Sequence, residues 1–195
     1  MEKGKENLIE YGLENCHMAV IESYEDGVYT FGTPIPVPGA VNLTMTAQTA
    51  QKIFYADNKP YYTTTTNSGY DGSLEVAQIP LKIQTDVLGD EADANGVIID
   101  GGNTQAKETA LLFEFSGDVK KTRHILWRCK LAKPDIAGKT TEAETDPQTQ
   151  TMKITAMPRA DIGRTHGRVS NETETKAVYD AWFDSVYEPD FAVGE

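Results

Sequence analysis

The sequence predicts a mainly β fold, sandwich-like or barrel-like, completed by one short helix and one amphipathic helix towards the C-terminus. Three runs carry this expectation. Residues 111–115, LLFEF, set Leu111, Phe113 and Phe115 against Leu112 and Glu114. Residues 124–131, HILWRCKL, set Ile125, Trp127, Cys129 and Leu131 against His124, Arg128 and Lys130. Residues 151–156, TMKITA, set Met152, Ile154 and Ala156 against Thr151, Lys153 and Thr155. Alternation of this quality marks half-buried antiparallel strands. A chain of 195 residues suits one domain spanning 1–195, and a chain of this size buries about 70% of the surface its unfolded form exposes.

In chain order, the polar first ten residues read as an arm that orders only when tied down. Further strands are expected near 16–22, 27–31, 41–47, 73–78 and 96–100. Between the second and third of these lies TFGTPIPVPGAV, with Pro34, Pro36 and Pro38 at alternate positions. Proline fixes φ and donates no hydrogen bond, so this segment is neither helix nor central strand. Residues 47–72, AQTAQKIFYADNKPYYTTTTNSGYDG, mix aromatics with Thr, Asn and Gly. They read as an extended hairpin whose aromatics have no place in a local core. A short helix is expected over 80–88, with Pro80 at its first position and Gly89 as its stop. The short turn after 115 makes 111–115 and 124–131 a hairpin. Residues 133–149 are polar and loop-like, and long loops in a compact domain usually mean function or a partner. A helix over 174–187, started by an Asn171–Glu174 capping box, carries two apolar rows. These are Val178, Trp182 and Val186, and Tyr179, Phe183 and Tyr187, together wide enough to dock on a sheet.

Composition narrows the function. The net charge is −12 and the pI is near 4.7, which argues against gripping nucleic acid, since that needs clustered Lys and Arg. The start lacks an apolar stretch of signal-peptide length, and no run is long enough to span a membrane. A cytosolic origin is expected, with export only as part of something larger. Cys16 and Cys129 are too few for a disulfide framework and sit in apolar strand runs, as buried thiols do. His17, His124 and His166 share no metal-ligand spacing, and no nucleophile elbow, phosphate loop or dinucleotide motif occurs. The run from Glu91 imitates the front of a calcium loop, but Gly102 stands where a bidentate Glu is required. No catalytic residue, cofactor or metal is expected. Residues 159–168, RADIGRTHGR, hold Arg159, Arg164 and Arg168 against Asp161, whereas from Asn171 onward seven acids and one lysine leave a net charge of −6. The two patches suit either internal pairing or head-to-tail pairing between identical subunits.

An ordered set of segments then resembles the major tail protein family of long-tailed, non-contractile phages. The set is YGLENCHMAVI, TFGTPIPVPGAVNL, YADN at 55–58, NSGYDGSLEVAQIP at 67–80, DVLG at 86–89, ALLFEF with RHILWRCKLAKP, PQTQTMKITAMPR and AVYDAWFDSVYEP. It covers about residues 11–189 in collinear order. No single piece is specific; the order is.

The resemblance implies a tail tube protein: a virion component assembled in the host bacterial cytoplasm. Its partners would be itself, in stacked, hexameric rings, and the tape measure, terminator and distal tail proteins at the tube ends. Genomic DNA would pass through the lumen without specific binding, and no membrane would be involved. On this reading the arm 1–10 and the loops 47–72 and 133–149 reach neighbouring subunits. The residues singled out for subunit contact are Phe54, Tyr55, Tyr61, Tyr62, Tyr70, Arg159, Arg164 and Arg168. The prolines become a stiff bridge that launches strand 41–47 and the excursion beyond it, though an ordinary edge loop accounts for them as well. The alternative is a soluble β-sandwich that binds carbohydrate or peptide through Tyr55, Tyr61, Tyr62 and Tyr70.

Overall fold

The computed structural model describes residues 11–102, 104–117, 121–138, 140 and 147–191. In chain order its elements are β1 (Leu13–Glu25), β2 (Val28–Phe31), β3 (Ile35–Pro36), β4 (Ala40–Ala56), β5 (Lys59–Val76), α1 (Leu81–Asp86), β6 (Glu91–Ala92), β7 (Ile98–Ile99), β8 (Glu108–Phe115), β9 (Arg123–Leu131), β10 (Gln150–Ala156), β11 (His166–Val169) and α2 (Lys176–Asp180). The fold is mainly β, as expected. The main sheet runs β2-β1-β8-β9-β10-β5-β4, with β3 added to β1 and β11 added to β9. All of these pairings are antiparallel. β1 also touches β4, so the two ends of the sheet approach each other and it curls in the manner of a barrel.

Alternation sorts the side chains onto two cores. The inner core takes Met18 of β1, Leu74 and Val76 of β5, Leu111 of β8 and Met152 and Ile154 of β10, and Ile83 of α1 plugs it. Each of these is at most 1% exposed, so truncating one of the leucines, isoleucines or methionines to alanine costs on the order of 2–5 kcal/mol. The outer core takes Ala19, Ala110, Leu112, Ile125 and Trp127 from the other face of the sheet. It is covered by Tyr179, Trp182 and Val186.

Several expectations are corrected. Ile125 and Trp127 do not share a face with Cys129 and Leu131. The register between β8 and β9 shifts after the Thr109–Cys129 pair, so that Leu111 meets Leu126. A bulge adds a residue and moves the row to the other face. Leu126, Cys129 and Leu131 therefore enter the inner core, while Ile125 and Trp127 enter the outer one. His124, expected to face outwards, is buried. The helix expected over 174–187 holds only for Lys176–Asp180, without a side-chain cap and without a base in its last turn. Trp182 and Asp184 instead donate to the carbonyls three residues back, at 3.2 and 3.1 Å. Asp180, Asp184 and Glu188 oppose the helix dipole where a longer helix would need bases. The strand expected over 96–100 shrinks to β7, paired with β6. In that turn Asp93 accepts hydrogen bonds from the backbone N–H of Asn95 and Val97, both at 2.8 Å. The calcium-loop look-alike is thus a carboxylate-capped turn. The arm 1–10 lies outside the described residues, as do 139 and 141–146 of the loop 133–149.

Candidate assembly surface

The proline segment positions the most prominent feature of the molecule. Val37 donates to the Cys16 carbonyl at 2.8 Å, and Ile35 and Pro36 pair with Met18 and His17. Backbone N–H groups alternate between the two edges of a strand. The edge turned away from β1 would carry those of 34, 36 and 38, and proline removes all three. The segment therefore lies against β1, offers no donors to a further strand, and hands the chain through Gly39 to β4 at the opposite end of the sheet.

β4 and β5 then leave the body together. Their pairing runs from Ala40–Val76 out to Ala56–Lys59, but β10 supports β5 only from Tyr70 to Val76. Beyond the Ala47–Tyr70 pair the two strands have only each other as sheet partners for nine more residues of β4, an arm about 30 Å long at 3.3 Å per residue. Its tip is a two-residue turn, Asp57–Asn58, both with positive φ (51° and 57°), as a type I′ turn requires. At the root, Gly69 has a φ of 126°. A Cβ there would lie 3.2 Å from the Ala156 carbonyl carbon and closer still to its oxygen. Gly72 is equally constrained, by Thr44 and Met45 of β4. Phe54 (60% exposed), Tyr55 (60%), Tyr61 (78%) and Tyr62 (62%) cluster at the tip with Ile53, and Phe54 faces Tyr62 across the ladder. Tyr70 stands apart from them at the root, half-buried against the inner core.

The basic run divides. Arg159 is 2% exposed. Its guanidinium bonds Asp161 (3.0 Å from Nε) and Glu188 (2.8 Å from Nη1) and lies over the Tyr29 ring at 4.9 Å. Of the two pairings the sequence left open, the internal one describes Arg159. Burial opposes the charge of Asp161, but the hydrogen bond and charge of Arg159, together with backbone N–H donors at Ile162 and Asp161, outweigh it and hold the carboxyl below its usual range. Arg164 and Arg168 are exposed. They edge a groove of about 510 Å³ between β11 and the C-terminal segment, floored by Trp127 and Trp182 and walled by Val178, Tyr187 and Phe191. The sequence reading assigned Trp127 and residues 178–187 to core packing alone. The overlooked signal is the width of the double row: the sheet covers Tyr179, Trp182 and Val186, and Val178 is left 36% exposed.

Several contacts hold this groove together. Trp127 Nε1 donates to the Tyr187 carbonyl at 2.9 Å and Trp182 Nε1 to the His124 carbonyl at 3.3 Å. Trp182 and Tyr187 stack at 5.6 Å. Arg123 pairs with Glu114 at 2.9 Å and lies 3.9 Å from the Tyr179 ring centroid, pinning the segment to the sheet. His124 and His166, unrelated in sequence spacing, meet where β9 pairs with β11, with Nδ1 and Nε2 3.1 Å apart. Desolvation, then the charges of His124 and Arg168, lower the His166 pKa to about 4. Burial lifts the thiols of Cys16 and Cys129 to about 12. Among the described residues no group of three or more His, Cys, Asp or Glu could hold a metal ion, and no helix is long and apolar enough to cross a membrane.

No family model matches the chain, and no curated protein matches it. Among solved structures it is similar to the tube-terminating cap of the anti-feeding prophage. The identity is 8%, 87% of this chain and 99% of that one are covered, and the TM-score is 0.39. It is similar too to the sheath/tube terminator, in the extended state, of the PVC extracellular contractile injection system. There the identity is 10%, the coverage is 83% of this chain and 99% of that one, and the TM-score is 0.38.

Proposed function

We propose that this chain is a structural subunit of a phage tail tube, self-assembling into stacked, hexameric rings around a lumen that passes the genome. The observation that carries the reading is the arm. A two-stranded hairpin standing clear of the body is at best marginally stable in water. This one also exposes Ile53, Phe54, Tyr55, Tyr61 and Tyr62 together at its tip. Such a feature is made to be covered by another molecule. The collinear resemblance to major tail proteins supports the same reading and supplies the tube. Rings and stacks need heterologous contacts, in which one patch meets a different patch on the next copy. Other tail proteins would cap the tube ends, placing the chain in the virion. The net charge of −12 suits a lumen that repels phosphate within a Debye length of about 8 Å, so that DNA slides without adhering.

The test compares the intact chain with one in which a two-residue turn replaces residues 48–69. Both are viewed by negative-stain electron microscopy and followed by light scattering, with circular dichroism to verify folding. Rings or tubes from the intact chain, and a folded monomer from the trimmed one, are the expected result. An intact chain that stays monomeric at high concentration overturns the reading, as does a trimmed chain that assembles equally well. A monomer whose tyrosine emission responds to a glycan or peptide would point to a binding module instead.

A further inference from the structure

We propose that the groove between β11 and the C-terminal segment is the socket for the arm tip of a second copy of this chain, a proposal that rests on the assembly reading above. The apolar tip has no local core, and the groove, of about 510 Å³, is lined largely by apolar side chains, with none filling it among the described residues. That volume lies within the range of sites that enclose ligand-sized groups. The tip cannot reach the socket of its own chain. His166 of the groove lies 6.3 Å, centroid to centroid, from Tyr70 at the root of the arm. The same molecule's tip is held about 30 Å away by a continuous ladder.

Charge agrees with this pairing. Asp57 at the tip turn is the complement of Arg164 and Arg168 in the groove lining, and Lys59 that of Asp190. Complementarity of this kind fixes register and orientation. Tip into root, repeated from copy to copy, is a heterologous contact, which closes into a ring or runs on open according to its rotation. Running on open, it builds a stack whose step is set by the length of the arm. The groove is a stable receptor because its floor is anchored. A Cβ on Gly167 would lie 3.0 Å from the Trp127 ring or nearer, and both indoles are hydrogen-bonded to backbone carbonyls.

Pro60→Cys at the tip and Val178→Cys in the groove, combined in the full chain, test the pairing by mild oxidation of assembled particles. The native thiols of Cys16 and Cys129 are buried and stay inert. The expected result is a ladder of disulfide-linked multimers on a non-reducing gel. Its yield should be about tenfold or more above that of a Pro60→Cys/Val28→Cys control, because docking raises the effective concentration of the paired thiols. Particles that form without the ladder place the arm elsewhere and overturn the socket while leaving the tube standing. A ladder without rings or tubes keeps the socket and overturns the tube. Neither particles nor a ladder overturns both. Should the cysteine pair impair folding, Asp57→Lys is the second variant. It should block assembly, and Arg164→Glu/Arg168→Glu in the same chain should restore it; no restoration counts against the socket.

Discussion

Gly72→Ala is the most exacting perturbation of the arm's root. Gly72 sits in β5 between two neighbours, paired with Met45 on one side and Ile154 on the other. A methyl group there would lie 2.8 Å from both the Met45 Sδ and the Thr44 carbonyl carbon, with the Thr44 oxygen nearer than either. The thioether can swing aside. The backbone of β4 cannot, because Leu43 and Leu74 pack together two pairs further along. Forcing the strands apart carries an overpacking cost of about 1–3 kcal/mol, and two weakened ladder hydrogen bonds add about 0.5–1.5 kcal/mol each. The sum, about 2–6 kcal/mol, lowers the Tm of a chain this size by at least about 4 °C. The assay is a thermal or urea unfolding curve followed by circular dichroism. Gly102→Ala is the control, since a Cβ there meets nothing within 4 Å. If Gly72→Ala melts within 1 °C of the parent, β4 does not approach Gly72 as described and the reasoning about the root fails.

Phe54→Ser/Tyr62→Ser should leave the Tm nearly unchanged, because both side chains are mostly exposed and such surface changes stay within about 0.5 kcal/mol; sedimentation should show assembly lost. Stability should fall as pH drops from about 6.5 towards about 4. The folded-state pKa of His166 lies below its unfolded value, so the unfolded chain takes up the proton first. Urea midpoints across this range should flatten in His166→Gln, and an unchanged slope would remove His166 from the account. Cys16 and Cys129, buried and with raised pKa values, should not react with a thiol reagent until the chain unfolds; rapid labelling of the native protein would contradict their burial.

The sequence alone determined the elements whose pattern is local. Met152, Ile154 and Ala156 alternate in and out as their spacing requires, because a strand's faces follow from its own period of two. Leu111 and Leu112 divide between the two cores for the same reason. The long hairpin and its lack of a local core were legible in the run of Thr and Tyr around the Asp57–Asn58 turn, and so was the proline bridge. Other features depend on what faces a segment across the fold, and only the tertiary structure decided them. The bulge that sends Trp127 outwards arises from register against β8, which no residue of β9 encodes by itself. Arg159 is drawn inside by Glu188, far along the chain. The last helix shortens because aromatic packing on the sheet, and not helix propensity, holds residues 181–187. The groove beside β11 exists only where these segments converge. Strand period is a property of consecutive residues, whereas a bulge, a buried ion pair or a groove belongs to partners that the chain brings together only on folding.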